Sequence, residues 1–206
     1  MNADPLEHLL YRLGNVQIKH YPFPHIYIKN VFPQWFYDHL VEGLKAAVTF
    51  EQAVDYPNRM FSCALPTDAR EMFASQKLSS FIRSMLRLED ELDVMLRWSR
   101  DVKGYSLGPH TDYSGKVATL LFYLPDSTNA GPWGTSIYAP KSSQKILADR
   151  HYYREDFNLV QTFPFAPNTM FGFLRTENSW HGVEPLTEDI QRDTLHYTIL
   201  KHGASI

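Results

Sequence analysis

DVMLRWSRDV (93–102), KVATLLFYLP (116–125), GTSIY (134–138), FNLVQTF (157–163), NTMFGFL (168–174) and DTLHYTIL (193–200) are the stretches that decide the fold. Each is short and rich in β-branched or aromatic residues, the composition of strands on a pleated, half-buried surface. Turn material separates them: Lys103-Gly104, Pro125-Asp126, Asn129 to Pro132 and Pro164 to Asn168. Many short strands punctuated in this way predict an all-β sandwich or barrel. The segment from Ala139 to Asp156 is polar and less periodic, and is expected to form a long loop near a binding site.

The residues before Asp93 read differently. Asp4-Pro5 opens a helix, DPLEHLLYRLG, as an N-cap followed by proline at the first helical position, with Gly14 as its stop. HIYIKNVF alternates and predicts a strand from about His25 to Val31. Pro33 opens a second helix, PQWFYDHLVEGLKAAV, with Phe36, Leu40, Leu44 and Val48 on one face. Thr67 to Leu88 reads as another helix or a pair, with Phe73, Leu78, Phe81, Ile82 and Met85 as its buried face. The expectation is a single domain over 1–206, mainly β with N-terminal helices (α+β). Residues 1–92 form a helical support with an early strand, and 93–206 form the β core.

Composition narrows the function. A chain of 206 residues with 44% hydrophobic and 21% charged residues is ordinary globular material. An aromatic content of 14% suggests a core or a pocket walled by rings. Net charge is −3 with no basic run, so no nucleic-acid partner is expected. The start, MNADPLEHLL, lacks the basic and apolar regions of a secretory signal, and no apolar run is long enough for a membrane span. Cys63 stands alone, reads as a small buried residue and allows no intrachain disulfide. A cytoplasmic protein is expected.

The chemistry gathers around GPHTD (108–112). On an extended strand residues two apart project to one face, so the His110 imidazole and the Asp112 carboxylate can converge on one ion. SWHGVEP (179–185) offers His181 as a third ligand. Two histidines and one carboxylate leave coordination positions open, the arrangement used by non-haem iron(II) oxygenases. The plain reading is a surface pair near a turn, since nine histidines make one HxD unremarkable by chance. His8, His20, His25, His39, His151 and His202 are taken as structural.

Arg192 follows in HGVEPLTEDIQRDTLHYTIL. If His181 ends one strand and Arg192 begins its neighbour, both face one cavity, where a guanidinium can clamp a carboxylate in a bidentate fork. Thr194 shares its face by alternation and can add a hydroxyl. The competing reading is a surface arginine ahead of an edge strand. Tyr123, on one face of its strand with Thr119 and Leu121, is either a second hydrogen-bond donor to that carboxylate or a core aromatic. Tyr113, Trp133, Arg175, Trp180 and His196 lie near these motifs and are candidate contacts to a substrate; the tryptophans read equally well as packing residues.

GYSLGPHTD, KVATLLFYLP, GTSIY, SWHGVEP and RDTLHYTIL, in that order, resemble the Fe(II)/2-oxoglutarate-dependent dioxygenase superfamily in its prolyl-hydroxylase-like branch. The likeness runs from roughly Asp93 to Leu200, and FPQWFYDHL is similar, more loosely, to that branch's support helix. The resemblance implies a double-stranded β-helix (jelly roll) over 93–206. It implies Fe(II) held by His110, Asp112 and His181. It implies 2-oxoglutarate as co-substrate with its distal carboxylate on Arg192, and Tyr123 in the position of the branch's tyrosine donor. The implied reaction uses O2 to hydroxylate a C–H bond of a small molecule or an amino-acid side chain, free or in a peptide, with succinate and CO2 as co-products. The chain departs from the branch twice. Gly131-Pro132-Trp133-Gly134 replaces a pair of adjacent glycines, and Arg100 stands where a tyrosine is frequent, about ten residues before the first ligand. Two alternatives are a cupin-like metal-dependent isomerase or hydrolase, which needs no carboxylate clamp, and a non-catalytic jelly-roll binding module.

Overall fold

The computed structural model describes residues 2–46, 49–89, 91–125, 130–142 and 152–204. Helix α1 (Pro5–Gly14) starts as its sequence dictates: the Asp4 carboxylate accepts from the Glu7 N–H at 2.9 Å, and proline fills the first position. Strand β1 (His25–Lys29) ends two residues earlier than expected because Asn30 takes a left-handed φ of 50° and turns the chain. Helix α2 (Gln34–Ala46) buries Phe36, Tyr37, Leu40 and Leu44, while Val48 lies outside the described residues.

A hairpin of β2 (Glu51–Gln52) and β3 (Arg59–Ser62) comes next. It gives the first third of the chain three strands rather than one. Two exposed polar residues and a four-residue run carry too little alternation to announce themselves. The 67–88 region is a pair of helices, α3 (Thr67–Phe73) and α4 (Gln76–Leu86), split where the Ser75 side chain caps α4 by accepting from the Leu78 N–H.

Eight strands complete the chain: β4 (Leu92–Val102), β5 (Leu107–His110), β6 (Lys116–Tyr123), β7 (Ser136–Pro140), β8 (Phe157–Thr162), β9 (Thr169–Leu174), β10 (His181–Val183) and β11 (Gln191–Lys201). A 3-10 turn at Arg154–Asp156 leads into β8, and residues 143–151 of the expected loop lie outside the described residues.

The strands form a seven-stranded sheet, β1-β9-β6-β11-β4-β3-β2, and a four-stranded sheet, β5-β10-β7-β8, antiparallel throughout. From β4 to β11 the chain passes repeatedly between the two sheets, which is the winding of a double-stranded β-helix. The N-terminal segment extends the larger sheet at both edges, with β1 beside β9 and β3 beside β4.

The period-2 rule sorts the larger sheet into two faces. On β6, Ala118, Leu120 and Phe122 join Trp98, Met170, Leu195 and Tyr197 against the helices, whose Leu9, Phe36, Leu40, Phe73, Leu78 and Ile82 complete the main core. Thr119, Leu121 and Tyr123 face the other way. Leu121 and Tyr123 pack with Phe163, Phe165, Phe171 and Phe173 to close one end of the space between the sheets. The candidate site lies in that space. No helix among the described residues is long and apolar enough to cross a membrane.

Candidate metal centre

His110 is the last residue of β5 and His181 the first of β10, and the two are direct cross-strand partners. Their ring centroids are 4.3 Å apart. Asp112 stands two residues beyond the end of β5, so strand alternation is not what aims it; Lys116 and Thr119 of β6 hold it from the other side. One ligand atom from each of His110, Asp112 and His181 lies within 4.8 Å of the others. Gly182 keeps β10 tight on β5: a Cβ there would sit 2.4 Å from the Leu107 carbonyl oxygen.

The imidazoles are oriented for ligation. His110 Nδ1 lies 3.0 Å from the Gly108 carbonyl oxygen and His181 Nδ1 lies 2.8 Å from that of Ser179. A carbonyl can only accept, so each Nδ1 carries the hydrogen and each Nε2 carries the lone pair. Carbonyl partners of this kind fix the tautomer of metal-bound histidines. Burial works against ionising Asp112, but the Lys116 ammonium, followed by His181 and His110, outweighs it and holds the carboxyl well below the usual carboxylate range. A carboxylate this readily ionised, beside two Nε2 lone pairs, is a donor set that fits Fe(II).

Arg192 reaches the same cavity by a different route from the one expected. It sits on β11 of the larger sheet, and His181 begins β10 of the smaller one, so the two face each other across the sandwich rather than along neighbouring strands. Arg192 is 1% exposed. Its Nη1 donates to Asp101 Oδ2 at 2.7 Å and its Nε to the Trp133 carbonyl oxygen at 2.6 Å. Asp101 also takes a bidentate pair from Arg59, at 2.6 and 2.8 Å. Two guanidiniums around one carboxylate leave the cluster with one net positive charge, buried at one wall of the cavity.

The other anticipated residues divide. His196 lines the cavity with the triad and Arg192, and its Nε2 lies 2.7 Å from Ser99 Oγ. Burial, reinforced by Arg59, Arg97, Arg192 and Lys116, pushes its pKa well below 6.5, so it is neutral. Tyr123 is fully buried behind the wall; its hydroxyl donates to Thr135 Oγ1 and accepts from the Thr135 N–H, both at 2.8 Å. Burial, partly offset by Arg192, raises its pKa. Thr194 is also fully buried, and its Oγ1 has no partner among the described residues.

Trp133 presents its carbonyl to Arg192, and its side chain packs against the cluster of Tyr105, Val183, Leu186 and Ile190. Trp180 is buried with Tyr138 and Phe157, in a cluster of its own. Tyr113 lines an outer cleft beyond Asp112. Arg175 Nε donates to the Asp112 carbonyl oxygen at 3.0 Å, outside the cavity. Cys63 is exposed, contrary to expectation, in the segment after β3.

Several residues of the site escaped the sequence reading: Arg59, Arg97, Asp101, Lys116, Thr119 and Thr135. A signal existed for two of them. On β4, Trp98 points into the helical core, so Arg97, Ser99 and Asp101 must all point inward. A polar stripe on the inner face of a central strand marks a site. The same alternation turns Arg100 outward, where it pairs bidentately with Asp193 at 2.8 and 3.1 Å.

No family model matches the chain, and no curated protein does. Solved structures do. HygX from Streptomyces hygroscopicus, with nickel, 2-oxoglutarate and hygromycin B bound, superposes with a TM-score of 0.62 at 12% identity, over 96% of this chain and 88% of that one. A Pseudomonas putida prolyl-4-hydroxylase gives 0.63 at 14% identity, over 96% and 99%. An oxidoreductase of the 2OG-Fe(II) oxygenase family from Burkholderia pseudomallei gives 0.60 at 15% identity, over 99% and 94%. The chain thus has the double-stranded β-helix fold of 2-oxoglutarate- and Fe(II)-dependent oxygenases, prolyl 4-hydroxylases among them.

Proposed function

We propose that the protein is an Fe(II)- and 2-oxoglutarate-dependent oxygenase that hydroxylates a C–H bond of a small molecule or an amino-acid side chain, releasing succinate and CO2. One observation carries the reading: the Asp112 carboxyl and the Nε2 atoms of His110 and His181 share a cavity with a buried arginine. Neither alternative, a cupin-like isomerase or hydrolase or a plain binding module, calls for that arginine. The structural neighbours point the same way.

His110, Asp112 and His181 would hold the iron, which supplies O2 activation driven by oxidative decarboxylation of the oxo acid. The chain's own residues bind and orient. Arg192, with its one-charge surplus, meets the distal carboxylate of 2-oxoglutarate, and the unpartnered Thr194 hydroxyl is placed to donate beside it. Tyr123, pinned by Thr135, supports this wall from behind. Neutral His196 adds a polar surface without competing for the anion. Leu121 and Phe173 exclude water from the inner end.

Anaerobic titration with Fe(II) and 2-oxoglutarate tests the reading. A weak visible charge-transfer band is expected in the wild type and is expected to vanish in Asp112→Ala and His181→Ala, together with succinate formation. Wild-type protein that binds metal without the band would return the cupin reading; protein that binds no metal would return the binding module.

A further inference from the structure

The cavity holds more positive charge than the oxygenase reading uses. Arg59, Arg97, Lys116 and Arg192 line it, against the carboxylates of Asp112 and, behind Arg59 and Arg192, Asp101. Arg59 and Arg192 share Asp101, and Lys116 Nζ lies 2.7 Å from Asp112 Oδ1. Arg97 has no such partner: among the described residues it makes no hydrogen bond or ion pair, and its buried Nε is unsatisfied. Burial and the Arg59 charge disfavour its charged form, and Tyr56, Cys63 and the Asp112 carboxylate, which makes no hydrogen bond to it, offset them only in part. The buried Nε of a half-covered guanidinium, left without an acceptor, costs free energy unless something else supplies one.

Its position says what that is. Arg97 sits on β4 directly opposite His196 in the register, so its neighbour across the strand is neutral and cannot serve as counter-ion. The guanidinium lies 3.9 Å from the centroid of the Phe61 ring, which occupies one of its faces and leaves the planar edge for recognition. Arg97 also belongs to two spaces at once. It lines the inner cavity with the triad, and it lines the outer cleft with Tyr56, Phe61 and Tyr113. Of these two spaces, Arg192 lines the inner cavity and not the outer cleft. A co-substrate seated on Arg192 therefore leaves Arg97 facing the side from which a second molecule enters.

Resting on the oxygenase reading, we propose that Arg97 is the recognition group for a carboxylate on the prime substrate, and that the molecule oxidised is a small carboxylic acid. The planar edge of one stacked arginine matches a planar carboxylate in a two-bond fork. The acid enters through the cleft of Tyr56, Phe61 and Tyr113, where Glu51 and Asp55 are exposed and screened by water, docks on Arg97, and presents a neighbouring carbon to the triad, whose His110 and Asp112 line that same cleft.

Matched pairs of small carboxylic acids and their primary amides, assayed for 2-oxoglutarate-dependent succinate release, provide the test. Acids are expected to stimulate turnover and amides are not. In Arg97→Gln the stimulated kcat/KM is expected to fall at least tenfold, with Arg97→Lys restoring part of it. The affinity for 2-oxoglutarate, read from the Fe(II) charge-transfer band, is expected to stay within twofold of wild type in both. Acids are also expected to raise the wild-type melting temperature, in the presence of Fe(II) and 2-oxoglutarate without O2, more than they raise that of Arg97→Gln. Amides as effective as acids, an Arg97→Gln enzyme undiminished on acids, or no acid response in either assay while the wild-type band is present would each overturn the proposal. So would a loss of 2-oxoglutarate affinity in Arg97→Gln, which would place Arg97 on the co-substrate instead. Absence of the band from the wild type would overturn the oxygenase reading itself.

Discussion

At the scale of single residues, Arg192 and His196 carry separable expectations. Arg192 is a charge-assisted donor in a buried setting, and hydrogen bonds of that kind contribute about 1.5–3 kcal/mol. Arg192→Lys keeps the charge but loses the fork, so 2-oxoglutarate binding should weaken on the order of ten- to a hundredfold while Fe(II) binding holds. Parallel titrations of metal alone and of metal with the oxo acid separate the two. His196 bears on pH. Its buried imidazole resists protonation, whereas the unfolded chain takes up the proton near the ordinary 6.5. The unfolded state thus binds more protons below that value, and stability present above pH 6.5 is lost as pH falls through it. His25, whose pKa is lowered chiefly by burial, acts in the same direction. His196→Asn should therefore flatten, without abolishing, the drop in urea midpoint between about pH 7.5 and about pH 5.5. An unchanged slope would remove His196 from the account.

At the scale of elements, the site depends on strands being held at particular separations. Asp101 on β4 joins Arg59 of β3 to Arg192 of β11, binding three neighbouring strands through one carboxylate. Asp101→Asn would leave two buried guanidiniums facing each other without a counter-charge, a loss of about 3–5 kcal/mol. Denaturant unfolding measures it, and a loss below about 1 kcal/mol would mean that the cluster is better hydrated than its burial indicates. Gly182 makes a different demand. With 2.4 Å to the Leu107 carbonyl oxygen, an added Cβ must push β10 away from β5 and so part His181 from His110. Gly182→Ala should lower metal affinity and cost about 1–3 kcal/mol of stability, read by metal titration and thermal melting. Wild-type metal affinity in that variant would show that the two strands can separate without disturbing the pair.

At the scale of the whole molecule, the larger sheet carries the helical core on one face and the reaction space on the other. The two faces should therefore be separable by mutation. Phe122 is buried on the helical side, in contact with the rings of Phe32 and Phe73, while its strand neighbours Leu121 and Tyr123 face the site. Phe122→Ala should cost about 3–5 kcal/mol in stability. The fraction that remains folded should keep its Fe(II) and 2-oxoglutarate charge-transfer band. A variant that stays stable but loses the band would place Phe122 functionally on the wrong face.

Much of this arrangement is local and therefore legible along the chain. Strand and helix periodicity, the Asp4-Pro5 cap and the order His110, Asp112, His181, Arg192 are properties of short segments, and they marked the β core, the support helices and the candidate ligands. What lay beyond the sequence is pairing at a distance. That β5 and β10 set His110 opposite His181, that Asp112 is aimed by Lys116 and Thr119 rather than by a strand, and that Arg192 looks across the sandwich all depend on register and sheet order. The Arg59–Asp101–Arg192 cluster and the unpartnered Arg97 depend on them as well. A side chain's charge is written in its residue, but its counter-charge is a neighbour in space. Chain order supplies the groups and their succession, whereas strand register and sheet order match Arg59 and Arg192 to Asp101 and Lys116 to Asp112, and leave the Arg97 guanidinium without an acceptor.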